Sequence, residues 1–174
     1  MIRYLLIRIL TFPLQFFPYS WINALGKHLG NLAYYLLPKF RKTALSNLAL
    51  AKNLPLTEPE MIQVAKEAFR NLMITCLQYP KLSWEKDVSK IATCENPEEA
   101  EEILKSRGII FFCGHQANWE ILFLEGTKRM PGVCIGRPIK NRFLYRWVLS
   151  IREKYGGKVI PPKNAIKEGM RALK

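Results

Sequence analysis

Three times between residues 108 and 174, a short apolar run with strand character is followed by a pattern of helical period. That alternation constrains the fold more than any other feature of the chain. Residues 108–113 read Gly-Ile-Ile-Phe-Phe-Cys, a continuous apolar run of the buried-strand type. A helix is expected to start near Asn118 and to end around Lys128 to Met130. Val133, Cys134 and Ile135 predict a second strand. Asn141 then caps a helix whose buried side is Leu144, Trp147, Val148, Ile151 and Tyr155, stopped by Gly156 and Gly157. Lys158, Val159 and Ile160 predict a third strand, and Asn164 caps a last helix. Such alternation implies an α/β domain with a largely parallel sheet flanked by helices.

Upstream the pattern is helical. Thr57 followed by Glu60 is a capping box, in which hydroxyl and carboxylate satisfy each other's free amides. Behind it Met61, Val64, Ala65, Ala68, Phe69, Leu72, Met73 and Cys76 recur at helical spacing, which predicts an amphipathic helix over 58–78. Asn96, Pro97, Glu98 and Glu99 open another helix that closes near Lys105. Residues 1–37 are strongly apolar, but Arg3, Arg8, Pro13, Pro18, Lys27 and His28 interrupt them. No stretch reaches the ~20 uninterrupted apolar residues of a confident spanning helix. No signal-peptide cleavage pattern follows either. Phe12, Phe16, Phe17, Tyr19, Trp21, Tyr34 and Tyr35 suit a membrane interface, and Lys39, Arg41 and Lys42 follow as a basic flank. The reading is a hydrophobic, membrane-associated helical region over 1–50, monotopic or with one poor spanning helix, and a domain of soluble type over 51–174.

Charge narrows the partners. The chain holds 27 Lys and Arg against 14 Asp and Glu, a formal net charge of +13. Residues 1–127 carry 14 basic and 12 acidic side chains, whereas residues 128–174 carry 13 basic and 2 acidic ones, Glu153 and Glu168. A stretch of that sign implies an anionic partner: phosphates, an acidic protein or an anionic membrane. No nucleic-acid reading motif accompanies it, so nucleic acid is not the expected partner. The four cysteines, Cys76, Cys94, Cys113 and Cys134, form no C-x-x-C pair, and three lie in apolar runs. They are expected to be buried thiols, neither a disulfide framework nor a zinc site. With two histidines in the chain, a His-rich metal centre is not expected, nor is a cofactor.

The turn from Gly114 to Glu120, reading Gly-His-Gln-Ala-Asn-Trp-Glu, follows the first strand. Reactive groups in open α/β sheets gather at the carboxyl ends of strands. On a continuous helix His115 and Glu120 would point about 140° apart, at about 100° per residue. They converge only if His115 lies in the turn and Glu120 in the first helical turn, with Asn118 as N-cap. Glu120 would then fix one imidazole nitrogen and leave the other to take a proton. The motif has no adjacent serine, and Cys113 is expected to face the core. Direct proton abstraction from a substrate hydroxyl is therefore favoured over a covalent intermediate.

His115-x4-Glu120 behind an apolar strand resembles the His-x4-Asp/Glu motif of glycerolipid-type acyltransferases. Gly136-Arg137-Pro138-Ile139-Lys140-Asn141, then Ile151-Arg152-Glu153-Lys154-Tyr155-Gly156-Gly157-Lys158-Val159-Ile160-Pro161, is similar to the second block of the late acyltransferases of lipid A biosynthesis. Phe40-Arg41, Ala44-Leu45-Ser46-Asn47-Leu48 and Glu67-Ala68-Phe69-Arg70-Asn71 are similar to the N-terminal half of that family. The resemblance implies a glycerolipid-acyltransferase-like fold and transfer of a fatty acyl chain from acyl carrier protein to a hydroxyl of a Kdo-bearing lipid A precursor. It places that reaction at the cytoplasmic face of the inner membrane. By resemblance His115 is the general base, Glu120 its partner, and Arg137 a group that binds acceptor phosphate or helps hold the active site. Asn141 and Arg152 match the substrate-binding block, with a helix cap and a solvated arginine as their plainer readings. Members of the family continue past the helix that ends this sequence, so the chain is expected to be the first part of a member, with only part of the sheet. Alternatives are another glycolipid or lysophospholipid acceptor, or a non-catalytic module that binds membrane or carrier protein. Glycerol-phosphate acyltransferases usually carry a Ser and an Asp within the His motif, and Gln116-Ala117-Asn118-Trp119 does not.

Overall fold

The computed structural model describes residues 1–51, 53–114 and 118–173. In chain order the elements are α1 (Ile2–Thr11), α2 (Tyr19–Leu36), α3 (Pro38–Leu50), α4 (Glu58–Trp84), α5 (Pro97–Leu104), α6 (Trp119–Arg129), β1 (Val133–Ile135), α7 (Arg142–Arg152), β2 (Lys158–Ile160) and α8 (Ala165–Ala172). Short 3-10 turns join several of them. They group into two compact units, Thr11–Lys81 and a second made of Met1–Leu10 with Leu82–Lys174.

In the unit Thr11–Lys81, α2 and α4 approach until their backbones touch. A Cβ on Gly30 would stand 2.4 Å from the Arg70 Cα, and one on Gly26 would stand 2.8 Å from the Ile74 Cα. Any larger residue would push the helices apart. Ala33, Tyr34, Ala65 and Phe69 form the core there, with Ala44, Leu45, Leu48, Ile62 and Met73 packed around them. The Tyr34 and Phe69 rings meet edge to face, with centroids 5.6 Å apart. Polar bonds fix the helix register: Arg70 Nε donates to Asn31 Oδ1 at 2.7 Å, and Gln78 Nε2 donates to Asn23 Oδ1 at 2.8 Å.

At the start of α4, Glu60 reaches back to the Thr57 amide at 2.7 Å, as the capping pattern predicts. The Thr57 hydroxyl donates to the same carboxylate oxygen, also at 2.7 Å. Both bonds favour the ionised form and lower the Glu60 pKa, the side-chain bond more strongly. The helix runs on to Trp84, past the expected end and through Pro80. Its apolar pattern is wider than the face it buries: Ala65 and Phe69 are buried, whereas Val64, Leu72 and Cys76 are exposed.

In the second unit β1 and β2 pair in parallel, with Val133 opposite Lys158, Cys134 opposite Val159 and Ile135 opposite Ile160. α7 connects them, so β1, α7 and β2 form the expected strand–helix–strand unit. Leu82, Val88, Leu124, Val148, Ile151, Val159 and Ile160 are its buried apolar residues. Gly156, at φ +90°, ends the α7 segment in a conformation that favours glycine. Asn141 caps α7 as predicted, its Oδ1 accepting from the Phe143 and Leu144 amides at 3.1 Å each. Asn164 makes no such side-chain bond to α8, and Asn96 precedes α5 in a left-handed conformation without one.

The first expected strand is not formed. Residues 108–114 carry no regular structure, and Ile110, Phe111 and Phe112 are 80 %, 66 % and 98 % exposed. An apolar run favours burial, but a strand also needs a neighbour to complete its ladder. Among the described residues β1 pairs only with β2, and no strand pairs with 108–114. The fold is mostly helical with a two-stranded parallel sheet, loosely α/β, and the wider sheet of the sequence expectation is absent among the described residues.

The thiols also differ from expectation. Cys76, Cys94 and Cys113 are exposed and Cys134 is half-buried. Cys113 shares the exposure of the unpaired 110–112 run, because without the strand there is no inward face for it to occupy.

Candidate functional site

Glu120 stands in the first turn of α6, where the Asn118 carbonyl accepts from the Ile121 amide at 3.3 Å. A carboxylate there is favoured by the helix N-terminus. Glu120 is also buried, only 3 % exposed, which would be costly without a partner. Arg152, at the end of α7, supplies one: its Nη2 donates to Glu120 Oε1 at 2.7 Å. The same guanidinium lies over the Trp119 ring, its carbon 4.7 Å from the ring centroid. Arg152 Nη1 is 3.8 Å from where a Cβ on Gly136 would stand, which places the ion pair beside the carboxyl end of β1. There Gly136 donates its amide to the Ile160 carbonyl at 2.9 Å. The starts and ends of α6, α7 and β1 thus converge on one buried carboxylate–guanidinium pair.

Cys134 borders this pair from β1. Burial pushes its thiol up to about 11, against the opposing influence of the Arg152 charge. A thiol so disfavoured as thiolate is a poor nucleophile near neutral pH.

The other expected site residues are distributed as follows. His115 lies outside the described residues, together with Gln116 and Ala117. Arg137 is exposed in the loop after β1 and makes no hydrogen bond or ion pair among the described residues. Its guanidinium has the planar donor fork that suits phosphate oxygens. Asn141 holds the start of α7 with its side chain, the role of a helix cap. Arg152 faces Glu120, the partnership that the sequence did not disclose.

A signal for that partnership does exist in the sequence pattern. Glu120 is four residues before the buried Leu124, and Arg152 is four after the buried Val148. Each charge therefore sits on its helix's buried stripe, and two opposite charges so placed need one another. Lys154 is a second functional-looking residue that periodicity did not single out. Its Nζ donates to the carbonyls of Leu82 at 3.2 Å, Ser83 at 3.3 Å and Glu85, closing the C-terminal end of α4. Tyr155 Oη donates to the Lys86 carbonyl at 3.0 Å, and Lys128 Nζ binds Asp87 Oδ1 at 2.5 Å. These bonds pin the segment after α4 to the ends of α6 and α7.

Glu120 is thus a fixed, desolvated carboxylate at a helix start, six residues after an exposed Gly114. The chain belongs to the bacterial lipid A biosynthesis acyltransferase family, whose profile matches residues 1–174. That membership makes it a protein of the acyltransferase class, with lipid A biosynthesis as its setting. Comparison with curated proteins and with solved structures gave no match.

Proposed function

We propose that the chain carries the catalytic turn of an enzyme that transfers a fatty acyl group from acyl carrier protein to a hydroxyl of a Kdo-bearing lipid A precursor, at the cytoplasmic face of the inner membrane. The observation that carries this reading is the buried Glu120, held by Arg152 at the start of α6, five residues after His115. Family membership supplies the reaction class.

In this reading His115 takes the proton of the acceptor hydroxyl, and Glu120 stabilises the imidazolium that results. The hydroxyl oxygen attacks the thioester carbonyl carbon of the donor. The tetrahedral adduct collapses by breaking the carbon–sulfur bond, and the imidazolium returns the proton to the departing thiolate. An ester and a carrier thiol are left. No metal or cofactor enters this balance. In this reading Arg137, exposed just beyond β1, binds an acceptor phosphate, and the basic residues 128–174 suit both the phosphorylated lipid and an acidic carrier. Arg152 acts through Glu120, as a positioning residue. Because Cys113 is exposed, its geometry no longer argues against a thioester intermediate, and direct transfer rests on the histidine chemistry alone.

The test is acyl transfer from acyl carrier protein by His115→Ala and Glu120→Gln, each checked for folding by circular dichroism. Loss of a general base lowers turnover by about 10²–10⁴-fold. Near-normal turnover by His115→Ala would sink the mechanism. Cys113→Ala retains activity in this reading, and an acylated wild-type Cys113 trapped by rapid quench would replace direct transfer with a two-step route.

A further inference from the structure

α2 has two apolar faces, one buried and one exposed. Ile22, Gly26, Gly30, Ala33 and Tyr34 are buried on the side that meets α4. Trp21, Leu25, Leu32, Tyr35 and Leu36 are exposed, at 64, 39, 52, 59 and 65 %. At about 100° per residue these five fall within about 100° of arc, opposite the buried set. His28 is the one polar side chain inside the arc, and it is exposed. A solvated helix would carry charge on that face. Here the apolar stripe runs the length of the helix, far beyond the scattered exposed residues of an ordinary surface.

Two observations say what covers it. First, from Thr11 to Thr57 there is no Asp or Glu, whereas Lys27, Lys39, Arg41, Lys42 and Lys52 are all basic. Lys39, Arg41 and Lys42 open α3 directly after the stripe, with Phe40 exposed among them. An apolar face rich in Trp and Tyr, flanked only by positive charge, is complementary to an anionic bilayer surface. Second, α2 cannot enter the hydrocarbon alone. Its inner face is locked to α4 by glycine contacts, and α4 carries Glu58, Glu60, Lys66, Glu67 and Arg70. Among the described residues no helix is long and apolar enough to cross a membrane.

We propose that α2 lies in the plane of an anionic membrane surface, its Trp21, Leu25, Leu32, Tyr35 and Leu36 face inserted at the headgroup–acyl boundary and Lys39, Arg41 and Lys42 on the lipid phosphates. This deepens the membrane placement in the proposed function and rests on it. α2 is thereby a one-sided float, with α4 as its polar back.

The test is binding of the full chain to vesicles of phosphatidylcholine with and without phosphatidylglycerol. Binding rises with the anionic lipid and falls with salt. The L25E/L32E double variant, altered on the exposed face alone, loses about tenfold or more in vesicle affinity while keeping its circular dichroism. In a chain whose native cysteines are replaced, fluorescent labels on cysteines at positions 21, 25, 32 and 36 report one shared shallow depth against spin-labelled lipids. Depths that increase steadily from 21 to 36 overturn the in-plane arrangement. Undiminished vesicle binding by L25E/L32E overturns the face itself. So does conversion of a lipid-free oligomer to monomer by that variant with vesicle binding retained, which assigns the face to a second copy. Acyl transfer in detergent micelles separates the two proposals: L25E/L32E remains active there, and an active His115→Ala would defeat the enzyme reading whatever the vesicles show.

Discussion

At the residue scale the feature that decides most is the pair of Glu120 and Arg152, whose side chains are 4 % and 15 % exposed. Removing one partner of a buried pair strands the other charge, a loss of about 3–5 kcal/mol. Arg152→Met is therefore expected to be strongly destabilised in thermal or denaturant unfolding, and the double variant with Glu120→Gln less so than Arg152→Met alone. Equal destabilisation of the two would mean that the charges do not depend on each other. Arg152→Lys keeps the charge but loses the planar stacking over Trp119, so kcat should fall with little change in KM for the acceptor. A rise in KM with constant kcat would return Arg152 to substrate binding. A second prediction concerns thiols. With its pKa raised to about 11, Cys134 has a thiolate fraction of about a thousandth at pH 8, so alkylation should reach the exposed Cys94 and Cys113 long before it. Peptide mapping after a timed iodoacetamide pulse would show the order, and early labelling of Cys134 would contradict its burial. One part of this arrangement was legible in the sequence: Asn141 serves as the cap its position suggested. The pairing of Glu120 with Arg152 was not. It joins residues 32 apart in sequence across two helices, and no local period encodes which helix ends will meet.

At the scale of elements several local signals did well, although Asn164 and Asn96 make no capping bond. The Thr57–Glu60 pair, the Asn141 cap and the Gly156 stop all lie where local backbone chemistry put them. β1 and β2 occupy the residues predicted for them, because each provides the other's ladder. Residues 108–113 show the limit: their hydrophobicity is that of a strand, but pairing is a property of the neighbour. The reach of α4 to Trp84 was likewise hidden, since part of its C-terminal closure comes from Lys154, about seventy residues away. Lys154 is partly desolvated there, which lowers its pKa, yet it serves several carbonyls at once. Lys154→Met should fray the last turn of α4, seen as faster amide exchange around Leu82 to Glu85, with the start of the helix unaffected. Unchanged exchange would show that packing of the buried Leu82 suffices. In the unit Thr11–Lys81 the equivalent test is Gly30→Ala. One methyl directed at the Arg70 backbone forces α2 away from α4 and should cost about 1–3 kcal/mol, measured as a lower unfolding midpoint.

For the whole molecule the governing quantity is a net charge of +13 that is mostly gathered in residues 128–174. Lys140, Arg142, Arg146, Lys163 and Lys167 are all exposed there, whereas Arg152 and Lys154 are committed to internal bonds. The exposed set is free to act at a distance, and its effect is on encounter more than on chemistry. If an acidic carrier protein delivers the acyl group, the KM for that donor should climb steeply with salt as the Debye length shrinks from about 10 Å at 0.1 M toward about 3 Å at 1 M. kcat should stay nearly constant, because the buried Glu120–Arg152 pair is shielded from the ions outside. The same acyl group on a small pantetheine thioester lacks the acidic surface, so its KM should barely respond. Lys163→Glu with Lys167→Glu, two substitutions on exposed positions, should raise the carrier KM about tenfold at low salt, close to 1.4 kcal/mol in free energy. That difference should vanish at high salt and be absent with the small donor throughout. A loss of rate with both donors would place these lysines on the acceptor's phosphates, and a carrier KM indifferent to salt would remove acyl carrier protein as the reason for the charge.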